Sequence, residues 1–449
     1  MKLLFISLGC DKNLVDTEVM LGILKSHSFE FTDDESEADV IVINTCCFIH
    51  DAKEESIQTI LDMAQYKQSA GNGGRCRALL VTGCLAQRYA EEIRTEIPEV
   101  DAIVGTTAYD KIAEALEAVL AGQEGDRLAG IEELPVVKEQ RIVTTGGYYA
   151  YLKIAEGCDK HCTYCIIPKL RGHFRSVPME SLVREAAQLA ENGVKELILV
   201  AQETTLYGKD LYGKKMLPEL LRELCKIEGL FWIRLLYCYP EEIDDKLIQV
   251  IREEDKICKY LDMPIQHASD AILKRMGRHT NKRQLITVIE KLRTNIPDIC
   301  LRTTLITGFP GETEEAHQEL LDFVDELEFE RLGVFTYSQE EDTPAAGYPE
   351  QIDEEVKQAR QAQLMELQQE ISFTHAQGMV GRVLDAFVEG KVADEDAYAA
   401  RTYMDAPNVD GLVFIQTAKE LLSGDMVKVR VTSAYEYDLI GELCDESAE

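Results

Sequence analysis

Short apolar segments alternate with amphipathic helical segments along most of this chain, and the alternation comes in two series. In the first series, candidate strands lie at 3–7, 39–43, 78–82 and 102–104. In the second, they lie at 149–155, 196–201, 232–237, 260–265, 300–306 and 332–337. Continuous apolar strands between helices are typical of parallel sheets covered on both faces. The sequence therefore predicts an α/β protein, with an N-terminal parallel domain and a central (β/α)6 array that forms an open sheet or a partial barrel.

The pattern changes after a long helix expected at 353–377. Five short alternating segments follow, at 383–388, 397–403, 412–416, 426–434 and 437–442. Short strands separated by glycine-containing turns indicate a small antiparallel β-barrel of the OB type. We therefore expect an N-terminal domain at 1–120, a linker at 121–143, a central domain at 144–374 and a barrel domain at 375–449.

Three cysteines form a CxxxCxxC motif directly after the first strand of the second series. They are Cys158, Cys162 and Cys165, and Tyr164 precedes the last of them. Three thiolates in one tight loop can hold three irons of a 4Fe–4S cluster and leave the fourth iron open. Structural zinc normally takes four protein ligands, usually as two pairs. The motif favours an iron–sulfur cluster, with structural zinc and a loop that binds no metal as the alternatives.

A second set of three cysteines belongs to the first series. Cys10, Cys46 and Cys84 each follow an apolar strand, at spacings of 36 and 38 residues that correspond to one βα unit each. Ligands of open parallel sheets bind outside the carboxyl ends of the strands, so these thiols should converge at one edge. Buried thiols that only fill the core are the alternative. The spacing favours a second three-cysteine cluster site.

The CxxxCxxC motif, with its aromatic residue and its place after the first strand of a six-unit array, resembles the radical S-adenosylmethionine (SAM) superfamily. That resemblance implies that SAM binds the open iron and is cleaved to a 5′-deoxyadenosyl radical. Two three-cysteine sites and a terminal barrel resemble the methylthiotransferases, whose barrel is called a TRAM domain. The run from Ser7 to Glu18 (SLGCDKNLVDTE) is similar to the RimO branch.

The resemblance implies an activity and its cofactors. A RimO-type enzyme carries two 4Fe–4S clusters, uses two SAM molecules and inserts a methylthio group at the β carbon of an aspartate in ribosomal protein uS12. It also implies a low-potential electron donor such as flavodoxin or ferredoxin. The alternatives are the MiaB-type reaction on transfer-RNA adenosine and a non-catalytic iron–sulfur protein that binds RNA through the barrel.

Several residues near the ends of the later strands are candidates for SAM contact. A βα array places its binding groups at the carboxyl ends of its strands. The candidates are Tyr164, Gln202, Arg302, Gly308 and Glu312. Lys169, Arg171 and Arg175 should form a local basic patch after the cysteine loop, which either favours docking of an electron donor or SAM binding, or is simply a solvated loop.

The charge of the chain bears on its partner. The net charge is −34, and from residue 375 to 449 the chain has six Lys or Arg against fifteen Asp or Glu. An RNA-reading barrel needs a basic groove with aromatic residues for stacking. Ribosomal proteins are basic, so an acidic barrel favours a protein substrate and no stable nucleic-acid binding. No apolar run is long enough to span a bilayer, so we expect a cytoplasmic protein with no membrane contact.

Overall fold

The computed structural model describes residues 1–135 and 141–444. Part of the expected linker (136–140) and the end of the expected barrel domain (445–449) lie outside the described residues. The chain divides into two compact units. Unit 1 contains residues 1–144, 155–175 and 338–346, and unit 2 contains 145–154, 176–337 and 347–449. The domain boundaries expected from the sequence stay a prediction.

Unit 1 is built on a parallel sheet with the strand order β2-β1-β3-β4-β5. Its strands are β1 (Lys2–Ser7), β2 (Glu30–Phe31), β3 (Val40–Thr45), β4 (Ala78–Gly83) and β5 (Ala102–Val104). Its helices are α1 (Asp11–Ser26), α2 (His50–Ala64), α3 (Cys84–Arg88), α4 (Ala90–Glu96), α5 (Ile112–Leu120) and α6 (Ile167–Arg171). All six residues of β3 and of β4 are buried, as expected for central strands covered on both faces. The parallel N-terminal sheet expected from the sequence is confirmed.

Unit 2 contains a parallel sheet with the order β13-β12-β11-β10-β9-β6, so each strand lies beside the one that precedes it in this series. The strands are β6 (Tyr149–Lys153), β9 (Glu196–Val200), β10 (Trp232–Leu235), β11 (Ile257–Asp262), β12 (Cys300–Thr307) and β13 (Arg331–Thr336). Two further short strands, β7 (Ala155–Glu156) and β8 (Arg175–Ser176), flank the cysteine loop and belong, apart from Ser176, to unit 1. The helices are α7 (Met179–Glu191), α8 (Lys209–Tyr212), α9 (Leu217–Cys225), α10 (Asp245–Glu253), α11 (Asp270–Arg275), α12 (Lys282–Asn295), α13 (Glu314–Leu327) and α14 (Glu354–Gln377).

One strand of this series differs from its expected position. β11 begins at Ile257 and ends at Asp262, three residues before the expected 260–265. Pro264 explains the earlier end, because proline has no N–H to donate to the sheet. The six-unit parallel array itself is confirmed.

The terminal segments of unit 2 close into a barrel with the order β14-β15-β16-β18-β17. Its strands are β14 (Val383–Lys391), β15 (Ala397–Thr402), β16 (Val413–Gln416), β17 (Met426–Ala434) and β18 (Leu439–Leu443). All neighbouring pairs are antiparallel except β16 and β18, which are parallel. An odd number of strands cannot alternate in direction all the way around a closed barrel, so one pair must be parallel. The small barrel is confirmed, and the expectation of purely antiparallel pairing is corrected at this one pair.

Buried charges connect the barrel to the parallel sheet inside unit 2. The carboxylate of Glu196, at the start of β9, accepts hydrogen bonds from Arg234 of β10 (2.8 Å) and from Arg401 of β15 (2.8 Å). All three side chains are almost completely buried. Trp232 of β10 packs edge-on against Phe387 of β14, with ring centroids 4.7 Å apart. The barrel is therefore docked on the sheet by an ionic contact and an aromatic contact.

Among the helices of the described residues, none is long and apolar enough to cross a membrane.

Candidate functional site

The structure brings the segments that carry Cys10, Cys46 and Cys84 together at one edge of the sheet in unit 1. Cys10 follows β1 as the cap of α1, Cys46 follows β3, and Cys84 begins α3 directly after β4. These three strands are parallel neighbours, so their carboxyl ends meet. Gly9 has φ +86°, and a Cβ there would lie 2.6 Å from Cys46 Cβ. The close approach of the first two cysteine segments thus requires glycine.

Cys46 and Cys84 lie in a protein environment that disfavours the charged forms of their thiols. Burial, together with the neighbouring Cys84 and Cys10, raises the pKa of Cys46 to about 12. Burial also raises the pKa of Cys84, and the charge of Arg171 opposes that effect. A cationic metal centre would remove this penalty, because it stabilises each thiolate that binds to it. The donor set therefore fits an iron–sulfur cluster, which is held by thiolates.

Asn13 and Ser56 fix the backbone around these cysteines. The side-chain amide of Asn13 donates to Leu8 O (3.2 Å) and to Thr45 O (3.0 Å), next to Cys10 and Cys46. Ser56 Oγ accepts from Cys46 N (3.0 Å) and donates to Cys46 O (2.8 Å). The first turn of α1 and the second turn of α2 thus position the cysteine segments through buried and partly buried hydrogen bonds.

The CxxxCxxC loop belongs to the same unit. Cys158 and Cys162 are buried and Cys165 is partly buried. Burial raises the pKa of Cys165, and Cys162 and Cys158 raise it further. The backbone N–H of Cys165 donates to Cys162 O (3.0 Å). Gly157 has φ +79°, and a Cβ there would lie 2.1 Å from His173 O. Glycine is therefore needed where the two ends of the loop meet.

Within residues 1–135 and 141–444, no group of three or more His, Cys, Asp or Glu side chains is arranged to hold a single metal ion. A four-iron cluster takes its thiolates on different irons, so its ligands are not required to meet at one ion. The ligand roles of the six cysteines stay a prediction.

Arg171 corrects the expectation of an exposed basic patch. Its side chain is 2% exposed, whereas Lys169 is exposed. Its guanidinium donates to Asp16 Oδ2 (2.8 Å), Glu156 Oε2 (3.1 Å) and Cys84 Sγ (3.5 Å). Local pattern could not show this burial, because Asp16 and Cys84 are 155 and 87 residues away in the chain. The helix that supplies two of the partners of Arg171, Asn13 and Asp16, has an unusually polar buried face. The buried polar residues of α1 are Lys12, Asn13, Asp16, Thr17 and Glu18.

In unit 2, most of the SAM candidates follow the carboxyl ends of the parallel strands. Gln202 follows β9, and Gly308 and Glu312 follow β12. Gln266, after β11, has φ +72° and a buried Oε1 with no hydrogen-bond partner among the described residues. A buried unpaired acceptor and a strained backbone are typical of a ligand site. The sequence signal for it is the pair Gln266-His267, which directly follows the strand expected at 260–265.

Glu312 organises the turn after β12. Its Oε2 accepts from Gly308 N (2.6 Å) and Phe309 N (3.2 Å), and its Oε1 accepts from Arg360 (3.1 Å). Burial acts to raise the pKa of Glu312, but contacts with His267 and Arg360 outweigh it and lower the pKa. Gly308 has φ +70°, and a Cβ there would lie 2.3 Å from Lys357 Cγ. Glu312 therefore holds the turn by accepting hydrogen bonds from its backbone N–H groups, and Gly308 allows the backbone to pass close to Lys357.

Arg302 lies elsewhere. It is the third residue of β12, five residues before the end of the strand. Its guanidinium pairs with Asp262 (2.8 Å) and Asp410 (3.4 Å). Asp262 and Asp410 thus take up N–H donors of this guanidinium, and SAM binding by Arg302 stays a prediction.

The chain is 65% identical to "Ribosomal protein uS12 methylthiotransferase RimO" of Lachnoclostridium phytofermentans, over 98% of this chain and 99% of that protein. It is 49% identical to the protein of the same name from Clostridioides difficile, over the full length of both. The chain belongs to the RimO methylthiotransferase family. The family resemblance that the sequence motifs indicated is confirmed, and with it a transferase enzyme; the MiaB alternative is not favoured.

Three family profiles match successive parts of this RimO family member. Residues 2–105 match "Uncharacterized protein family UPF0004", 152–324 match the radical SAM superfamily, and 380–444 match the TRAM domain. Among solved structures, the radical SAM methyltransferase TsrM from Kitasatospora setae superposes with a TM-score of 0.54 at 14% identity, over 77% of this chain and 76% of that one. The cobalamin-dependent SAM radical enzyme OxsB gives 0.51 at 14% identity, over 81% of this chain and 56% of that one. These two likenesses show the fold alone.

Proposed function

We propose that this protein uses SAM to insert a methylthio group at the β carbon of an aspartate in ribosomal protein uS12. The observation that carries the proposal is the 65% identity, over nearly the whole chain, to a relative with that name. The cytoplasm, where ribosomal proteins are made, is the proposed location.

The two cysteine sets have separate roles in this proposal. Cys158, Cys162 and Cys165 hold the 4Fe–4S cluster that binds SAM, and Cys10, Cys46 and Cys84 hold an auxiliary 4Fe–4S cluster. When bound, the clusters and SAM supply the one-electron chemistry that breaks an unactivated C–H bond, which no side-chain base can do. The chain's own residues hold and orient these groups. A low-potential donor such as flavodoxin or ferredoxin supplies electrons.

The residues proposed to bind SAM are Tyr164, Gln202, Gly308 and Glu312, together with Gln266. Gly308 allows close backbone approach to a ligand, and Glu312 holds that turn in place by accepting from its N–H groups. Gln266 offers a buried amide oxygen that is available to an N–H donor such as the SAM amino group.

The barrel supports a protein substrate over RNA. Four of its six basic side chains are already paired with acidic residues: Arg382 with Asp298, Lys391 with Asp396, Arg401 with Glu196, and Lys428 with Asp385. Little positive charge is therefore left for a phosphate backbone. Two tyrosines of the barrel, Tyr435 and Tyr437, are exposed, but they lie on an acidic module. Such a surface attracts a basic ribosomal protein.

The substrate test is a competition. The reconstituted enzyme is given SAM, a reductant, uS12 and an unmodified transfer RNA, without oxygen and at modest salt. We expect mass spectrometry to show one methylthio group on an aspartate of uS12 and no modified adenosine. Methylthiolated adenosine with unmodified uS12 would overturn the proposal and place the activity with the MiaB type.

The cluster assignment is tested by iron content. Anaerobic reconstitution should give about eight irons per chain, from two four-iron clusters. A Cys158→Ala, Cys162→Ala, Cys165→Ala variant should keep about half of the iron and release no 5′-deoxyadenosine. A Cys10→Ala, Cys46→Ala, Cys84→Ala variant should also keep about half, cleave SAM and leave uS12 unmodified. Stoichiometric zinc, or full iron in either variant, would contradict the assignment.

A further inference from the structure

The guanidinium of Arg171 lies in the interior of unit 1, with four acceptors around one end. Nη1 donates to Asp16 Oδ2 (2.8 Å) and Glu156 Oε2 (3.1 Å). Nη2 donates to Asn13 Oδ1 and to Cys84 Sγ (3.5 Å). Glu156 and Asp16 are as deeply buried as Arg171. A buried charge at such a position needs close partners, and here those partners come from both cysteine sites.

One side of this contact closes the loop of the proposed radical-generating site. Glu156 stands two residues before Cys158, and Arg171 six residues after Cys165. Their ion pair therefore joins the two ends of the loop, beside the backbone hydrogen bond from Cys158 N to Gly172 O (3.1 Å). Ile166 and Leu170 pack in the same apolar core as Leu79, Val81 and Cys84. The loop is thus fixed at its ends and through α6.

The other side of the contact reaches the auxiliary site. As a thiol, Cys84 can donate weakly to Asn13 Oδ1, from which its sulfur is 3.9 Å away. As a metal-bound thiolate it can only accept, and the Nη2 of Arg171 is the donor directed at it. Asn13 Oδ1 then keeps its hydrogen bond from Arg171. Charge-assisted donors to a ligating sulfur tune the potential of a cluster.

We propose that Arg171 is a positioning residue that joins the two cysteine sites: it holds the loop of Cys158, Cys162 and Cys165 against the auxiliary site and sets the potential of the auxiliary cluster through Cys84. This inference rests on the proposed function, because it takes Cys84 as a cluster ligand. Arg171 contacts the ligating sulfur of one site and only the loop ends of the other. Its electrostatic effect should therefore be unequal between the two clusters.

The test measures each cluster by itself. In the Cys158→Ala, Cys162→Ala, Cys165→Ala background, the auxiliary cluster is followed by a redox titration monitored by electron paramagnetic resonance. We expect Arg171→Met to shift the midpoint potential to a more negative value, because a positive charge and an N–H donor are lost at Cys84. In the Cys10→Ala, Cys46→Ala, Cys84→Ala background, the same change should shift the other cluster's potential less.

Two further variants separate the effect of the Arg171 contact from the loss of charge alone and from the loss of the cluster. Lys169→Met removes the same charge from an exposed position of the same helix and should leave both potentials unchanged, because solvent screens it. Arg171→Lys keeps the charge but lacks the planar fork, so it should retain about four irons per chain in the auxiliary-only background, with an intermediate shift. If Arg171→Met does not bind the auxiliary cluster, a negative shift of the cluster's midpoint potential in Arg171→Lys supports the inference in its place.

An unchanged auxiliary potential in Arg171→Met, or in Arg171→Lys where Arg171→Met binds no iron, would overturn the inference. An equal or larger shift of the radical-site cluster would also overturn it. Neither readout uses uS12 or SAM turnover. A failure of the proposed function would instead appear as missing iron in the parent triple variants, before Arg171 is changed.

Discussion

Replacing Glu196 with glutamine should loosen the barrel from the parallel sheet. The glutamine keeps the shape of the side chain but removes the negative charge that faces Arg234 and Arg401, each 2.8 Å away. Neither guanidinium can reach solvent, because both side chains are at most 1% exposed. Breaking a buried ion pair by removing one partner costs about 3–5 kcal/mol. With an m-value of about 3 kcal/mol/M, the midpoint of urea unfolding for this contact should fall by roughly 1–1.7 M.

The chain provides its own probe for this measurement. Trp232 is the single tryptophan, and it packs on Phe387 of the barrel. Its emission wavelength should shift to the red when the barrel leaves the sheet, so fluorescence in urea follows this contact directly. Glu223→Gln is the matched control, because Glu223 forms an exposed pair with Lys226 in the same unit. Such a pair contributes less than about 1 kcal/mol. Equal midpoints for Glu196→Gln and Glu223→Gln would refute the reasoning.

Three further predictions concern the Glu196 carboxylate, the CxxxCxxC loop and the acidic barrel. Burial acts to raise the pKa of Glu196, but Arg401 and Arg234 lower it overall. The ionised carboxylate therefore contributes its full stabilisation above the unfolded pKa of about 4.3, and this stabilisation is lost as pH falls through the folded pKa. The difference in urea midpoint between wild type and Glu196→Gln should accordingly be constant near neutrality and shrink below about pH 4. Gly157→Ala should remove about half of the iron by opening the CxxxCxxC loop. Gly193→Ala is the control and should keep the iron, because Gly193 also has a positive φ but has open space around it. Equal iron content in both variants would show that the close approach to His173 does not matter. Association with uS12 should slow by about tenfold or more from low to physiological ionic strength, as measured by stopped flow, because opposite charges steer the encounter; a rate independent of salt would contradict the role of the acidic barrel.

Much of the fold could be predicted from the sequence because its signals are local. Apolar strands and patterned helices recur at short intervals, and the strands they indicated differ from the observed ones mostly by a residue or two at the ends. The edge that gathers Cys10, Cys46 and Cys84 was also predictable, since each cysteine directly follows a strand and parallel neighbours end at the same edge. These predictions depend only on where each cysteine stands relative to the end of its strand, which the sequence shows without knowledge of tertiary contacts.

The surroundings of two basic residues depend on distant parts of the chain. Arg302 is charged and lies on a strand of the SAM array, but its partner Asp410 comes from the barrel segment more than one hundred residues later. Arg171 lies in a run with two other basic residues, and its burial depends on Asp16 and Cys84. A single sequence shows the charge of such residues but not the acceptors that fold around them. The ion pairs of Arg302 and the burial of Arg171 therefore escape a single sequence for the same physical reason.

The discontinuity of unit 1 has a consequence for the order of events during synthesis. Residues 338–346 belong to this unit: Arg88 donates to Glu341 O (2.7 Å), and Ala345 N donates to Thr163 O (2.9 Å) in the CxxxCxxC loop. At about 5–20 residues per second, the roughly 180 residues between Cys165 and Ala346 take about 9–36 s to emerge. The contacts that residues 338–346 make within unit 1, including the one with the CxxxCxxC loop, therefore form only after three quarters of the chain has been translated, whereas a contiguous domain could complete its contacts as soon as it has emerged.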